Sequence, residues 1–317
     1  MRTNSRILVT GAGGFVGRHV IARACARGME AVPLVRSPEQ ARRFPPQVRD
    51  AAMVADVTDV DAVARAMALV RPECVVHAAA YGVNYADQDR ERAFTVNVQA
   101  TLTVLDHAAR QGVRRMIHVG SCFEYGDRGP PIPEDAPLRP TALYGATKAA
   151  ASLLVRQWAD NLGMQTVIAR PFAIWGPWEA AQRVVPQVLA ACRTGRPVAL
   201  TACDVVRDYT YVEDMADWLI DLAVAEPCPP SIVNLGSGQA VVLRDFLRAI
   251  ARRYDAESLL RFGTLPHRPT EMRCLVPDIS RQIALFGHPA ARSLDGDLRR
   301  MEETLALEEA TGNQSNR

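Results

Sequence analysis

The sequence predicts an α/β protein: a doubly wound parallel sheet followed by a smaller C-terminal lobe. Three observations carry this. Strand-like and helix-like stretches alternate through the first half, and a glycine-rich turn joins the first strand to the first helix. Past Pro171 the texture becomes irregular and rich in proline.

The elements follow in order. Residues 7–10 are a short β-branched run ending in glycines, and 15–27 repeat apolar residues at helical spacing. Residues 31–35 form a second strand, against which Pro33 counts because it donates no ladder hydrogen bond. Residues 53–55 are a third strand, and Thr58-Asp59-Val60-Asp61 has the pattern of a helix N-cap with an acidic third residue. Residues 74–80 and 116–119 read as fully buried strands, separated by a helix over 91–111 that stops at Gly112. A long helix over 143–162 ends at Gly163, and 165–169 make a sixth strand. Right-handed crossovers bring the C-terminal ends of such strands to one edge, where these sheets bind ligands. The expected division is a first domain over 1–172, rejoined by a stretch at about 207–225, a second lobe over 173–310 and a frayed tail over 311–317.

Composition narrows the function. With 317 residues, 48% hydrophobic and 23% charged, the chain reads as an ordinary globular protein. A net charge of +2 without charge blocks gives no reason to expect nucleic acid or a membrane surface as partner. No apolar run reaches the roughly 18–20 residues of a membrane span, and Ile7-Leu8-Val9 is too short for a secretory leader. Seven scattered cysteines and six dispersed histidines lack ligand spacing, so reduced thiols, no metal and a cytoplasmic location are expected.

The turn Gly11-Ala12-Gly13-Gly14-Phe15-Val16-Gly17 sits between strand and helix. Residues without Cβ let the backbone approach a pyrophosphate, and the helix N-terminus offers N–H groups to it, which makes this a Rossmann-type dinucleotide site. At the tip of the second strand, where an NAD site places a carboxylate, the chain reads Val35-Arg36-Ser37, with no acid before Glu39. Arg36 suits the 2′-phosphate of NADP, so NADP(H) is expected over NAD(H). Asp56 and Val57 follow the third strand, where adenine would be held; a turn cap is the other reading of that carboxylate.

Tyr144 and Lys148 are four residues apart on one helix face. A phenol titrates near 10 unperturbed, and an adjacent ammonium lowers that value toward a useful proton relay. Ser121 lies just past the fifth strand, on the binding edge.

With these residues the chain resembles the extended short-chain dehydrogenase/reductases, in the NAD-dependent epimerase/dehydratase branch acting on nucleoside-diphosphate sugars. The matching stretches are TGAGGFVG, VVHAAA with Asn97, GSCFEYG, YGATK, RPFAIWGPWE, RDYTYVEDMA, VNLGSG, PHRPTEM, PDIS and FGHP. The resemblance implies Tyr144 as acid/base and cofactor contact, Lys148 as its tuner and nicotinamide-ribose ligand, Ser121 on the reacting oxygen and Asn97 supporting the relay. It also implies that Ala78, Ala79 and Ala80 line the cofactor, with Pro171 and Phe172 beside the nicotinamide. Substrate contacts are implied for Ser121, Cys122, Phe123, Tyr144, Ala173, Arg183, Arg207 and Arg268, the arginines suiting a diphosphate. A homodimer is implied, its four-helix bundle formed by the helices over 91–111 and 144–162.

Two departures bear on the reaction. Where 4,6-dehydratases of the family carry Thr-Asp-Glu, this chain has Ser121-Cys122-Phe123, which removes the dehydrating acid and base. Ala173 stands where many relatives have asparagine. The expected activity is therefore an NADPH-dependent ketoreductase of a nucleoside-diphosphate 4-keto-6-deoxysugar, in polysaccharide or glycoside biosynthesis. The alternatives are an NDP-hexose 4-epimerase with tightly held NAD and, from another class, a non-catalytic dinucleotide-binding sensor.

Overall fold

A computed structural model describes residues 5–84, 86–289 and 292–310, so the expected frayed tail over 311–317 lies outside the described residues. The chain divides into two compact units. The first comprises the chain up to Gly126, Pro137–Pro171 and Val212–Leu235; the second comprises Asp127–Ala136, Phe172–Tyr211 and the chain from Gly236.

The first unit is built on a seven-stranded parallel sheet. Its strands include β1 (Arg6–Thr10), β2 (Glu30–Val35), β3 (Met53–Val54), β4 (Cys74–His77), β5 (Arg115–Val119) and β6 (Gln165–Pro171). The order is Ile232–Leu235, β6, β5, β4, β1, β2, β3, the doubly wound pattern expected. The edge strand Ile232–Leu235 was not among the strands expected from periodicity; its pairing with β6 explains why the returning segment runs on to Leu235.

Pro33 is accommodated inside β2. It lies opposite Val9 of β1, but β3 pairs only with Leu34 and Val35, so at Pro33 the sheet has already run out on that side. The helix Val60–Val70 is capped one residue later than its sequence suggested. Asp59 is the N-cap and accepts from the Ala62 N–H at 2.9 Å, while the Thr58 hydroxyl donates to Asp56. β4 ends at His77 because Ala78–Ala80 leave the sheet under the glycine turn.

Charged side chains lock the returning helix Val212–Val224 into this unit. Fully buried Arg115 donates to the carbonyls of Leu222 and Ala225 at its C-terminal end, at 3.0 and 2.8 Å. From helix α1 (Phe15–Ala26), Arg23 grips Asp217 at 2.8 Å. Capping carbonyls with a guanidinium satisfies groups no intrahelical donor can reach.

The second unit has short strands only. Ala173–Trp175 pairs with Tyr209–Tyr211, and Val206–Arg207 lies between Val241–Val242 and Cys274–Leu275. Its core centres on aromatics: Tyr209 stacks on Phe246 at 4.1 Å, and Trp175 meets Tyr211 and Phe246 edge-on. Buried Asp208 fixes the Ser237–Gly238 turn by accepting both backbone N–H groups, at 2.8 and 2.6 Å.

A Cβ on Gly17 would stand 2.4 Å from the Gly11 carbonyl oxygen, so the start of α1 can lie this close to the turn after β1 only because residue 17 is glycine. Gly17→Ala is expected to lower stability by about 1–3 kcal/mol and to weaken dinucleotide binding, measured by thermal melts with and without NADP.

Candidate active site

The glycine turn is shaped by backbone contact. Gly11 has φ +65°, and a Cβ there would lie 2.5 Å from the Ala79 nitrogen, so Ala78 and Ala79 form the floor beneath it. The Gly14 N–H closes the turn onto the Gly11 carbonyl at 2.9 Å. Gly14 is the N-cap of α1, which has neither a side-chain cap nor an acidic residue in its first turn. Among the described residues, no side-chain cap covers its opening N–H groups, and the Cβ-free cradle fits a dinucleotide pyrophosphate.

Exposed Arg36 follows β2, and its backbone N–H donates to Gln40 Oε1 at 3.0 Å. The Gln40 side chain lies against Gly13. Arg43, not anticipated from the sequence, donates to the Gly13 carbonyl at 3.0 Å, which places a second guanidinium on this turn. The Arg42-Arg43 pair just after the SPEQA helix was the available signal. Asp56 uses Oδ1 to cap Thr58, accepting from its N–H and hydroxyl at 2.9 and 2.8 Å, and Val57 is buried beside it.

The catalytic candidates of the first unit converge. Ser121 caps the 3₁₀ turn Cys122–Glu124: its Oγ accepts from the Phe123 N–H at 3.2 Å, and its own N–H donates to Glu124 Oε1 at 2.8 Å. Because Oγ accepts, the Ser121 hydroxyl keeps its hydrogen to donate elsewhere. Cys122 is buried under this turn. Phe123 meets the Tyr144 ring edge-on at 6.0 Å. The helix Leu143–Leu162 comes this close only because Gly145 follows the tyrosine; a Cβ there would stand 2.4 Å from the Phe123 carbonyl oxygen.

Asn97, fully buried in a π-helical turn over Thr95–Gln99, ties the helix to the loop after β4. It accepts from the Tyr81 N–H at 2.8 Å and donates to the Tyr81 carbonyl and Thr147 Oγ1, both at 2.9 Å. Pi-helical bulges of this kind re-aim one side chain within a helix.

Lys148 is almost completely buried, and that burial, opposed in part by Glu124, pulls its ammonium down to about 8. His77 and His118, stacked at 5.9 Å, lie near it. Thr101 donates to the Asn97 carbonyl, so its oxygen accepts the His77 Nε2 hydrogen, and Nδ1 in turn accepts from Thr10. Burial and the Lys148 charge hold His77 at about 3 and push His118 well below the ordinary imidazole value. Neither ring nitrogen of His118 has a hydrogen-bond partner among the described residues.

Glu124 stands just beyond the three positions that distinguish dehydratases, and it is committed to structure. It is fully buried, accepts from Ser152 Oγ at 3.0 Å and pairs with Arg170 at 2.8 Å. Arg170 also donates to Tyr125, whose hydroxyl donates to Asn234. The Ser-x-x-Glu spacing of a capping box over 121–124 was the sequence signal for this network.

Pro171 ends β6 in the first unit, paired with Leu235, and Phe172 is buried. The remaining expected substrate residues belong to the second unit. Ala173 opens the strand paired to Tyr209, and Arg183 is the N-cap residue of the helix Val184–Thr194. Arg207 is held by the carbonyls of Met272 and Val206 at 2.7 and 2.8 Å, and Arg268 is exposed. Among the described residues, no group of three or more His, Cys, Asp or Glu is placed to hold a metal, and no helix is long and apolar enough to cross a membrane.

Residues 7–236 match the NAD dependent epimerase/dehydratase family. The chain belongs to that family. It is a family of oxidoreductase and epimerase enzymes within the extended short-chain dehydrogenase/reductases. The epimerase/dehydratase relatives include a 4-hydroxy-2-methyl-3-oxo-4-farnesyl-3,4-dihydroquinoline-1-oxide ketoreductase of Stigmatella aurantiaca, 32% identical over 91% of both chains. A dTDP-glucose 4,6-dehydratase of Mycobacterium tuberculosis is 32% identical over 66% of each, so that match spans just under two thirds of this relative's length. The structure of Thermus thermophilus UDP-glucose 4-epimerase in complex with NAD superposes with a TM-score of 0.83, at 26% identity, covering 95% of this chain and 99% of that one.

The buried bases of this epimerase/dehydratase family member make its stability depend on pH. His77 and His118 take up protons in the unfolded chain near 6.5 but not in the folded one, so stability present above 6.5 is lost as pH falls from there toward 3. His118→Phe is expected to raise Tm more at pH 5 than at pH 8. Lys148→Met, which removes a buried ammonium, is expected to abolish turnover while stabilising the fold by about 1–3 kcal/mol at pH 7, measured by chemical denaturation.

Proposed function

We propose that the protein is an NADPH-dependent ketoreductase of a nucleoside-diphosphate 4-keto-6-deoxysugar. The observation that carries the choice is the pair of arginines by the glycine turn: Arg36 follows β2 where an acid would accept from an unphosphorylated ribose, and Arg43 is docked on Gly13. A 2′-phosphate meets two cations there rather than a carboxylate.

In this reading Gly11, Gly14, Gly17 and the first N–H groups of α1 hold the pyrophosphate. The alanines 78–80 line the dinucleotide, and Pro171 and Phe172 flank its nicotinamide. The bound dinucleotide supplies a hydride. Ser121 donates its free hydroxyl hydrogen to the substrate oxygen and stabilises charge as the alkoxide forms. Tyr144 delivers the proton to that oxygen, and the Lys148 ammonium makes the resulting phenolate easier to form. Asn97 keeps the tyrosine helix and the loop after β4 in register. Arg183, Arg207 and Arg268 bind the diphosphate.

The same residues serve an NDP-hexose 4-epimerase, which would oxidise and re-reduce C4 without net use of cofactor. Likeness to the Thermus UDP-glucose 4-epimerase favours that second reading. Purified protein incubated with nucleotide sugars alone separates the two: isomerisation without added NADPH defeats the reductase.

We further propose a cytoplasmic homodimer. Phe94, Leu153, Trp158 and Leu162 are large apolar side chains left 39–59% exposed on the two helical segments expected to pair, and burying them is the driving force. Leu153→Glu is expected to give a monomer by light scattering.

Three outcomes test the chemistry. Tyr144→Phe should cost roughly 10²–10⁴-fold in kcat with dinucleotide affinity unchanged. Arg36→Asp should move the kcat/KM preference from NADPH toward NADH. Turnover should fall as pH rises through about 8, where the Lys148 ammonium is lost.

A further inference from the structure

The loop leading into the helix Val184–Thr194 holds a carboxyl group that the chemistry above does not use. The Glu179 side chain is only 6% exposed. Its Oε1 accepts from Arg183 Nε at 3.2 Å, while Oε2 is buried without a hydrogen-bond partner among the described residues. Leaving a carboxylate oxygen unsatisfied in the interior costs free energy that a purely structural ion pair would avoid. Trp178, just before it, has φ +68°, a conformation a bulky residue adopts only when its surroundings impose it. Arg183 itself is 35% exposed, so its guanidinium is tied at Nε and open to solvent elsewhere.

Tyr209 senses the charge of both Glu179 and Arg183, and Arg207 and Cys203 act on Tyr209 from its other neighbours. Burial raises both the Tyr209 phenol and the Cys203 thiol, which keeps them neutral. Burial pushes the Glu179 carboxyl up to about 7 against the pull of Arg183. Glu179 is therefore the member of the cluster that changes charge near neutral pH.

We propose that Glu179 is a positioning residue that sets how much of the Arg183 charge is offered to the diphosphate of the substrate. Ionised, it holds and neutralises the guanidinium and repels an approaching anion. Protonated, it releases that charge to the diphosphate and turns its hydroxyl toward a ligand oxygen. Binding of a nucleoside-diphosphate sugar should then draw a proton onto Glu179. The inference rests on the nucleotide-sugar reading given above.

The test is calorimetric titration of the whole protein with UDP-glucose, whose diphosphate diester does not titrate between pH 6 and 8.5, in buffers of different ionisation enthalpy. A one-unit rise in the Glu179 pKa on binding corresponds to uptake of about half a proton at pH 7.5 and an affinity about sevenfold weaker at pH 8.5 than at pH 6. Glu179→Gln is expected to bind with the wild-type pH 6 affinity at both pH values and to take up no proton, and Arg183→Met to bind weakly at both. Equal proton uptake and parallel pH profiles in wild type and Glu179→Gln would overturn the proposal, and so would wild-type binding with no proton uptake, which decides the matter should the variant fail to fold. Failure of the wild type to bind UDP-glucose or dTDP-glucose at any pH would instead sink the nucleotide-sugar reading itself.

Discussion

One buried carboxylate organises the unit built on the parallel sheet. Glu124 accepts from the Ser121 backbone and the Ser152 hydroxyl through one oxygen and from Arg170 through the other. It thereby fastens the serine turn, the tyrosine helix and strand β6 to one another. Burial raises its pKa, and Arg170 and Lys148 pull it back toward the ionised form. Removing one member of such a pair strands the other charge in the interior, at a cost of about 3–5 kcal/mol. Serine geometry and fold stability are therefore the same question here, and the residue is unavailable for the acid chemistry a dehydratase needs.

The opposite sign of effect surrounds Lys148. Its ammonium, and His118, whose ring nitrogens have no hydrogen-bond partner among the described residues, sit where an apolar side chain would be better tolerated, while neutral His77 is bonded at both nitrogens. Groups held against their solvation preference cluster where a protein needs tuned proton affinities. Asn97 and the threonines at 10, 101 and 147 confine that cost, because they give His77 and the tyrosine helix fixed partners.

Much of this was legible in the chain. Strand and helix alternation marked six strands of the main sheet, and the glycine turn and Tyr144-x-x-x-Lys148 pointed to the candidate site, since these depend on local periodicity and spacing. What escaped depended on distant partners. The strand Ile232–Leu235 is short and pairs with residues some sixty positions earlier. The cap at Asp59 rather than Thr58 turned on which of two adjacent oxygens reached the Ala62 N–H. Arg43 became part of the glycine turn only through a contact thirty residues away, and the structural role of Glu124 depends on Arg170, 46 residues further along the chain.

The first unit is assembled from three separate stretches of chain. A polypeptide stopping at Pro171 would present β6 as a raw edge, lacking Ile232–Leu235, and would leave Arg115 buried without the carbonyls it caps. The sheet unit is thus not a detachable module. Recombination that exchanged everything downstream of β6 would have to import a matching helix and edge strand along with any new loops, which ties the inheritance of the second unit to that of the sheet.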